Sequence, residues 1–336
     1  ALENNTMKKR NLEDEYENTE KKLIRATKLM AGLGGEKTRY TETSARLAKA
    51  ATHILGDVLL SAGIIAYLGP FTGVFRRSIL DQWKAMCLDN SIPMAENYSL
   101  IEFLGDAVKV QNWKLQGLPS DDFSVENAII CTQSQRWSFM IDPQNQAKNW
   151  LMNLEKGSKL MVLQATDEDY HRTLTACIKS GTPVLLEDVD EELDPLLDPL
   201  LRKDVVTEQG MQTITIAEST VEYHDDFRLY ITSRLPRPHL RPETSVKLTV
   251  LNFALTPTGL MDQLLQKVVQ YEEKEVEDRK VKFITQGAIN RTRLRKTEDD
   301  ILTLLASGSN LLNDEQVINT LDHSKKIADE IQTKQG

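Results

Sequence analysis

The spacing of apolar residues changes twice along the chain and divides it into three parts. Residues 1–33 carry a ladder of mostly apolar positions in alternating steps of three and four, which is the period of a coiled-coil strand. Residues 34–257 pass from helical patterns into short apolar runs that alternate with amphipathic segments. Residues 258–336 return to charged helical patterns. We therefore predict a coiled-coil helix, an α/β body and a helical C-terminal part.

The heptad core positions of the first part are well filled only from Leu12 onward. One helix cannot bury such a seam alone, so its partner is expected elsewhere in the chain or outside it. The alternative is a solvated amphipathic helix. The core positions are Leu2, Asn5, Lys9, Leu12, Tyr16, Thr19, Leu23, Ala26, Met30 and Leu33.

Glycine and proline divide the next stretch into helices. Gly32, Gly34 and Gly35 are expected to end the first helix, and the pair Gly69-Pro70 to interrupt the helical pattern again. The predicted helices are residues 43–67, 71–88 and 98–107, and residues 113–122 are predicted to form a loop.

From residue 127 the pattern predicts βαβ units and a mostly parallel sheet, hence an α/β fold. A small hairpin, residues 211–216 and 220–224, is expected before the fifth strand. The predicted strands are residues 128–132, 138–141, 160–164, 184–187, 228–232 and 247–252. The predicted helices between them are residues 146–155, 168–180 and 191–201.

The chain after residue 257 is predicted to be helical to its end. Residues 258–271 are apolar on one face, and residues 272–306 keep an approximate heptad in a highly charged sequence. We expect a helical hairpin over residues 272–306, and a single long helix is the alternative. Residues 314–320 and 324–333 are predicted short helices.

Composition narrows the classes of partner. The 336 residues carry a formal net charge of -9, so a broad basic face for nucleic acid or an anionic membrane is not expected. Three distant cysteines and five scattered histidines show no metal-ligand spacing, which predicts reduced thiols and no metal site. The longest apolar run, residues 57–69, is too short to span a bilayer and is predicted to be a buried helix.

Residues 142–149 lie where a phosphate-binding loop would carry G-x-x-x-x-G-K-[ST]. Lys148 is in register, but Asp142 and Ala147 stand at the two glycine positions and Asn149 at the Ser/Thr position. Asp142 adds an anion where a phosphate would bind, and the hydroxyl that holds Mg²⁺ is missing. We interpret this as a nucleotide site that has decayed. The alternative is an ordinary strand, loop and helix with a lysine.

Three further positions follow in the order of an ATPase of the AAA+ type. The strand that ends in Glu187 and Asp188 matches a Walker B segment, although the longer acid comes first. An ordinary acid pair at a strand end is the alternative. Thr232 stands at a polar sensor position, and Lys247 where an arginine finger is usual, although lysine cannot grip charge bidentately. Together they predict an AAA+ fold with no catalytic residues and no bound cofactor.

The chain resembles the fifth AAA+ module of dynein heavy chains, preceded by the returning helix of the microtubule-binding stalk. The resemblance covers nearly the whole chain, and its wording is closer to axonemal than to cytoplasmic dyneins. The residues that carry it are 34–41 (GGEKTRYT), 59–71 (LLSAGIIAYLGPF), 112–125 (NWKLQGLPSDDFSV), 136–146 (RWSFMIDPQNQ), 183–195 (PVLLEDVDEELDP), 225–232 (DDFRLYIT) and 245–256 (SVKLTVLNFALT).

The resemblance implies a six-module ring in which other modules bind ATP and Mg²⁺ and this one does not hydrolyse ATP. It implies that the hairpin (buttress) braces the stalk and that Lys247 could serve the fourth module's site. The implied partners are the neighbouring modules, the other stalk helix and, through the stalk tip, the microtubule. The implied location is the cytoskeleton of the cytoplasm and the axoneme of cilia and flagella.

Two other functions stay open on the sequence. One is a weak regulatory nucleotide-binding domain in which Lys148, Glu187 and Asp188 are functional. The other is a scaffold, unrelated to motors, that assembles through its coiled coils.

Overall fold

The computed structural model describes residues 2–208, 210–216 and 219–306. It divides into two compact units, Ala1–Ala51 with Thr285–Gly336, and Thr52–Ile284, which are described separately. The helices are α1 (Leu2–Gly63), α2 (Gly73–Asp89), α3 (Leu100–Leu104), α4 (Ala107–Leu115), α5 (Asp122–Gln133), α6 (Gln146–Leu154), α7 (Tyr170–Ser180), α8 (Asp198–Arg202), α9 (Pro242–Ser245), α10 (Pro257–Glu272) and α11 (Lys274–Ala306). A π-helix (Ile64–Leu68) follows α1, and a 3₁₀ turn (Pro195–Leu197) precedes α8. The strands are β1 (Trp137–Ile141), β2 (Met161–Gln164), β3 (Val184–Glu187), β4 (Val205–Glu208), β5 (Met211–Ile216), β6 (Ser219–Glu222), β7 (Leu229–Ser233) and β8 (Leu248–Asn252).

The larger unit is built on a five-stranded sheet in the order β2-β3-β7-β1-β8. Every neighbouring pair in this sheet is parallel. Five of the six predicted strands are confirmed, with ends that differ from the predicted ones by at most one residue. The α/β class predicted from the sequence is therefore confirmed.

Alternate residues of the central strand β1 enter separate cores on the two faces of the sheet. Met140 packs with α5, α6 and the C-terminal end of α1. Phe139 and Ile141 pack with α7 and the segments around α8. A parallel sheet buried on both faces needs strands that are almost entirely apolar, and all five residues of β1 are buried, with Ser138 as its polar residue. The body thus has helices on both sides of the sheet.

The predicted strand at residues 128–132 is wrong, because these residues belong to α5. Asp121 caps that helix, with its Oδ2 accepting from the Ser124 amide at 3.2 Å. Ala128, Ile129 and Ile130 are fully buried. A helix buried on all sides has the same continuous apolar run as a buried strand, so the pattern alone does not separate them.

The prediction that Gly32, Gly34 and Gly35 end the first helix is also wrong. α1 continues without a break from Leu2 to Gly63. Each glycine inside a helix costs about 1 kcal/mol relative to alanine, and the long flanking helical segments offset this cost. The break at Gly69-Pro70 is confirmed, since α2 begins only at Gly73. The predicted loop at residues 113–122 begins later, because α4 runs to Leu115.

α11 is one helix from Lys274 to Ala306, so the hairpin predicted within residues 272–306 is wrong and the single helix is found. Gly287 lies inside α11 in open space, where helical geometry is not obstructed. The predicted short helices at residues 314–320 and 324–333 lie outside the described residues.

The hairpin predicted before the fifth strand is confirmed as β5 and β6, which pair antiparallel. β4, which was not predicted from the sequence, pairs antiparallel with β5 and completes a three-stranded sheet.

Asp57, Leu60, Ile64 and Leu68 are buried, which confirms that the apolar run at residues 57–69 forms a helical segment of the core. By length and composition alone, Tyr40–Leu68 would be long and apolar enough to cross a membrane, a test that core helices of soluble proteins also pass.

In the smaller unit, three apolar heptad positions of α1 whose side chains the structure describes are exposed. Leu12, Tyr16 and Leu23 are 65%, 72% and 67% exposed. Ion pairs one helical turn apart, Lys9 with Glu13 and Lys21 with Glu17, lie on the surface. The exposure of these three side chains agrees with the expectation that this helix has a partner beyond itself.

Candidate functional site

Four polar segments meet at the carboxyl edge of the parallel sheet. Asp142 follows β1, Gln164 ends β2, Glu187 ends β3 and Ser233 ends β7. Parallel strands bring their carboxyl ends to one edge, which is where open α/β sheets bind ligands. The site predicted from the sequence at residues 142–149 and 187–188 therefore lies at this edge.

The Asp142 carboxylate fills the place that a phosphate would take at the start of α6. Its Oδ1 accepts from the Gln146 amide at 2.7 Å, and its Oδ2 accepts from the Lys148 amide at 3.0 Å. Asn145 adopts a left-handed conformation, with φ of 58°, and thereby turns the loop into the helix. The first amides of a helix attract anions, and here the anion comes from the chain itself.

Asp142 is 1% exposed, and its backbone amide donates to the Ser233 carbonyl at 2.8 Å. Burial raises the pKa of its carboxyl, and the hydrogen bonds from the Lys148, Gln146 and Ala147 amides oppose that rise. The loop is thus held to β7 by its backbone and to α6 by its side chain.

Lys148 forms an ion pair with Glu187 across the site. Gln164 Nε2 donates to the other carboxylate oxygen of Glu187 at 2.9 Å. Burial alone would raise the pKa of Glu187, but the hydrogen bonds from Lys148 and Gln164 and the charges of Lys148 and Arg234 lower it. The lysine in the phosphate-binding register is therefore neutralised by a residue of the same chain.

Asp188, the second acid, pairs with Arg234, which was not predicted from the sequence as a site residue. Its Oδ1 lies 2.6 Å from Arg234 Nε, and its φ is 57°. Gln164 was missed as well. Arg234 follows β7 and Gln164 ends β2, the two strands that flank β3, so the rule that parallel strands end at one edge could have indicated them.

The remaining positions predicted from the sequence contribute less to the hydrogen bonds and ion pairs of this site. Thr232 is buried in β7, and its carbonyl accepts from the Val189 amide at 3.0 Å. Ala147 is fully buried in α6, whereas Asn149 is exposed.

Lys247 is not brought to this site. It immediately precedes β8, which runs parallel to β1, so it lies at the amino edge of the sheet. Its Nζ pairs with Asp198 Oδ1, at the start of α8. The finger position is thus occupied by a contact within the larger unit, and its service to another module stays a prediction.

These residues do not fit a magnesium triphosphate. The amides that would hold phosphate oxygens already bond Asp142, and Lys148 is paired. The site holds three carboxylates, Asp142, Glu187 and Asp188, against the two cations Lys148 and Arg234. Added anionic charge would be repelled unless these contacts broke. Across the described part of the chain, no group of three or more His, Cys, Asp or Glu side chains could hold a metal ion.

Two family models match the chain. The ATP-binding dynein motor region matches residues 111–331, and the microtubule-binding stalk of dynein motor matches residues 1–87. The first of these covers more than half of the chain.

Curated relatives align along nearly the whole chain. Human dynein axonemal heavy chain 3 is 46% identical over 98% of this chain, and human dynein axonemal heavy chain 1 is 44% identical over 97%. Mouse dynein axonemal heavy chain 2 is 42% identical over 94%. The chain spans only 7% to 8% of the length of these relatives. With the parallel sheet of the AAA+ kind and a family model over most of its residues, the chain belongs to the dynein motor family.

Proposed function

We propose that this chain is the fifth ring module of an axonemal dynein heavy chain, and that it transmits force without hydrolysing ATP. The carrying observation is the Asp142 carboxylate on the amides of Gln146 and Lys148, at 2.7 and 3.0 Å, where a phosphate would otherwise bind. The Lys148–Glu187 pair removes the free cation that a nucleotide would need. ATP and Mg²⁺ are bound by other modules of the parent protein.

The force is carried by α11 and α1. Part of α11, from Thr285 onward, falls in the same compact unit as Ala1–Ala51, the stalk side of α1. This grouping supports the proposal that α11 braces the stalk. The direct partners are then the adjacent ring modules and the second stalk helix, and the microtubule is reached through the stalk tip. The location is the cytoskeleton, in the axoneme of a cilium or flagellum.

The stalk helix has a core that tolerates more than one alignment. Asn5, Lys9, Tyr16 and Thr19 occupy heptad core positions where apolar residues would fix one register. A shift of register between two helices is a recognised two-state switch. The brace would select between the registers when the ring changes shape.

Calorimetric titration of the chain with Mg-ATP tests the proposal that this module does not bind nucleotide. We expect no binding tighter than about 1 mM, because an anion would first have to displace Asp142 and Glu187. The matched variant is Lys148→Ala. Micromolar binding that this variant abolishes would favour a regulatory nucleotide-binding domain and overturn the proposal.

Truncating the apolar seam of α11 tests the transmission. Phe283→Ala with Leu294→Ala, made in the full heavy chain, should leave ATP turnover in place and uncouple it from microtubule affinity. Phe283 is 75% exposed and is free to contact another helix. The control is Arg291→Ala on the same helix, which removes an exposed polar side chain. Normal cycling of affinity in the double variant would show that α11 is not the brace.

A further inference from the structure

Three glutamines connect the phosphate-loop region to the start of α10. Gln146 and Gln263 face each other through their side-chain amides, with Nε2 to Oε1 distances of 3.5 and 3.2 Å in the two directions. Gln144 Oε1 accepts from the Leu255 amide at 3.2 Å. Leu255 lies two residues before α10, so both contacts join the same two parts of the larger unit.

The segment that leads into α10 is also held on its other side. Asn252 Oδ1 accepts from the Ala254 amide at 2.9 Å, and Asn127 Nδ2 donates to the Asn252 carbonyl at 2.7 Å. Asn127 in turn accepts from the buried Arg76 at 2.6 Å. Residues 252–257 therefore run between two sets of side-chain hydrogen bonds, one from the loop after β1 and one from α5.

We propose that Gln144, Gln146 and Gln263 are positioning residues that tie the loop after β1 to α10 and fix the direction of α10 without a ligand. This inference rests on the proposed function, in which no nucleotide occupies the carboxyl edge. A glutamine amide both donates and accepts, so a facing pair satisfies itself and needs no counter-charge. The tie is neutral, and salt and moderate changes of pH leave it in place.

The tie has a consequence for transmission. α10 ends at Glu272 and α11 begins at Lys274, so the direction of α10 determines where the polypeptide enters α11. If side chains fix α10 to the loop after β1, α10 moves together with the sheet. If this connection were flexible, the sheet could move without moving α10.

Hydrogen exchange measured by mass spectrometry tests the tie directly. Gln146→Ala, Gln263→Ala and Gln144→Ala should each speed exchange in the peptide covering residues 255–263 about fivefold, the factor that one ordinary hydrogen bond accounts for. Gln146→Ala combined with Gln263→Ala should exchange no faster than either single variant, because both remove the same contact. Gln146→Glu with Gln263→Lys should restore slow exchange through an ion pair.

The matched control is Gln133→Ala. Gln133 also bridges two elements by one amide, donating to the Leu104 carbonyl at 3.0 Å, and this hydrogen bond joins α5 to α3 instead of α10. It should leave the 255–263 peptide unchanged. Unchanged exchange in the Gln146 and Gln263 variants, or effects that multiply in the double variant, would overturn the tie.

The functional readout uses the full heavy chain carrying Gln144→Ala with Gln146→Ala. We expect ATP turnover to persist while the difference in microtubule affinity between nucleotide states shrinks. A full difference, despite faster exchange, would overturn the positioning role. Binding of Mg-ATP by the unchanged chain would instead overturn the proposed function, so the two failures are distinguishable.

Discussion

Lys148 and Glu187 form an ion pair that joins the first turn of α6 to the end of β3. Each belongs to a segment that would act on nucleotide in an active ATPase, the lysine on phosphate and the first Walker B acid on Mg²⁺. Here each satisfies the other, and Gln164 holds the remaining carboxylate oxygen of Glu187 at 2.9 Å. The pair converts two reactive positions into a structural contact.

Glu187→Gln should lower the free energy of unfolding at neutral pH. The variant leaves Lys148 unpaired while it is 25% exposed, and we expect a loss of about 1–2 kcal/mol, below the cost for a fully buried pair. The lowered pKa of Glu187 stabilises the fold above its ordinary value of 4.5, and this contribution is lost as pH falls through the lowered value. Urea unfolding at pH 7 and pH 3 should therefore show a smaller difference in the variant.

The control for this prediction is Glu192→Gln. Glu192 pairs with Arg241, and both side chains are exposed, so the loss should stay below about 0.5 kcal/mol. Equal losses in the two variants would contradict the structural role of the Lys148–Glu187 pair.

Asp142→Ala should destabilise the start of α6. It leaves the partly buried amides of Gln146 and Lys148 without their acceptor, at a cost of about 2–4 kcal/mol for the two together. Asp142→Asn keeps one acceptor oxygen and should lose less. Asp106→Ala removes an ordinary cap from α4 and should cost about 1 kcal/mol by the same thermal unfolding measurement. An Asp142→Ala protein as stable as the unchanged chain would contradict the internal-anion interpretation.

Arg76→Ala should be among the most damaging single changes in the larger unit. Arg76 is 4% exposed and donates to the carbonyls of Leu68 and Gly69 at 2.8 and 2.7 Å. Burial lowers its pKa to about 10, although Glu126 opposes this, so the guanidinium is still charged at neutral pH. We expect a loss of about 3–5 kcal/mol in denaturant unfolding, from the unsatisfied acceptors and the unpaired Glu126.

The neighbouring Arg77→Ala is the matched control for Arg76→Ala. Arg77 is exposed, and its Nε donates to the Gly73 carbonyl at a long distance of 3.3 Å. Its loss should change stability by less than about 0.5 kcal/mol. A similar effect of both variants would show that the buried network around Arg76 contributes little.

Two helical glycines should respond in opposite directions to alanine. Gly287→Ala places a methyl group in open space and should stabilise α11 by about 0.5–1 kcal/mol. Gly63→Ala brings a Cβ to 2.6 Å from the Trp83 ring and should cost about 1–3 kcal/mol through overpacking. Thermal unfolding followed by circular dichroism measures both. Destabilisation by Gly287→Ala would mean that α11 is not helical at that position.

The sequence predicted the sheet well, because a buried parallel strand is a short apolar run between turn residues, and β1, β3 and β7 have that form. It failed where two structures share one pattern, as in the apolar run of α5. The prediction also failed at Gly34, because the long helical segments on both sides offset the unfavourable helix propensity of glycine. β4 was missed because its strand character depends on pairing with β5.

The positions of the site residues followed from strand ends, but their contacts did not. Lys148 was in register with a phosphate-binding lysine, yet its pairing with Glu187 joins residues far apart in sequence. The same holds for Gln144, which contacts Leu255 across more than one hundred residues. Such contacts depend on side-chain direction at close range, and a linear pattern carries little of that information.

Asp142 is covalently part of the loop that it fills, so its local concentration cannot be diluted. Dissolved metabolites compete with it only by breaking two hydrogen bonds that re-form without any search through solution. The start of α6 should therefore keep its shape when the energy supply of a cell rises or falls. The loop after β1 should therefore have the same conformation at high and at low concentrations of nucleotide.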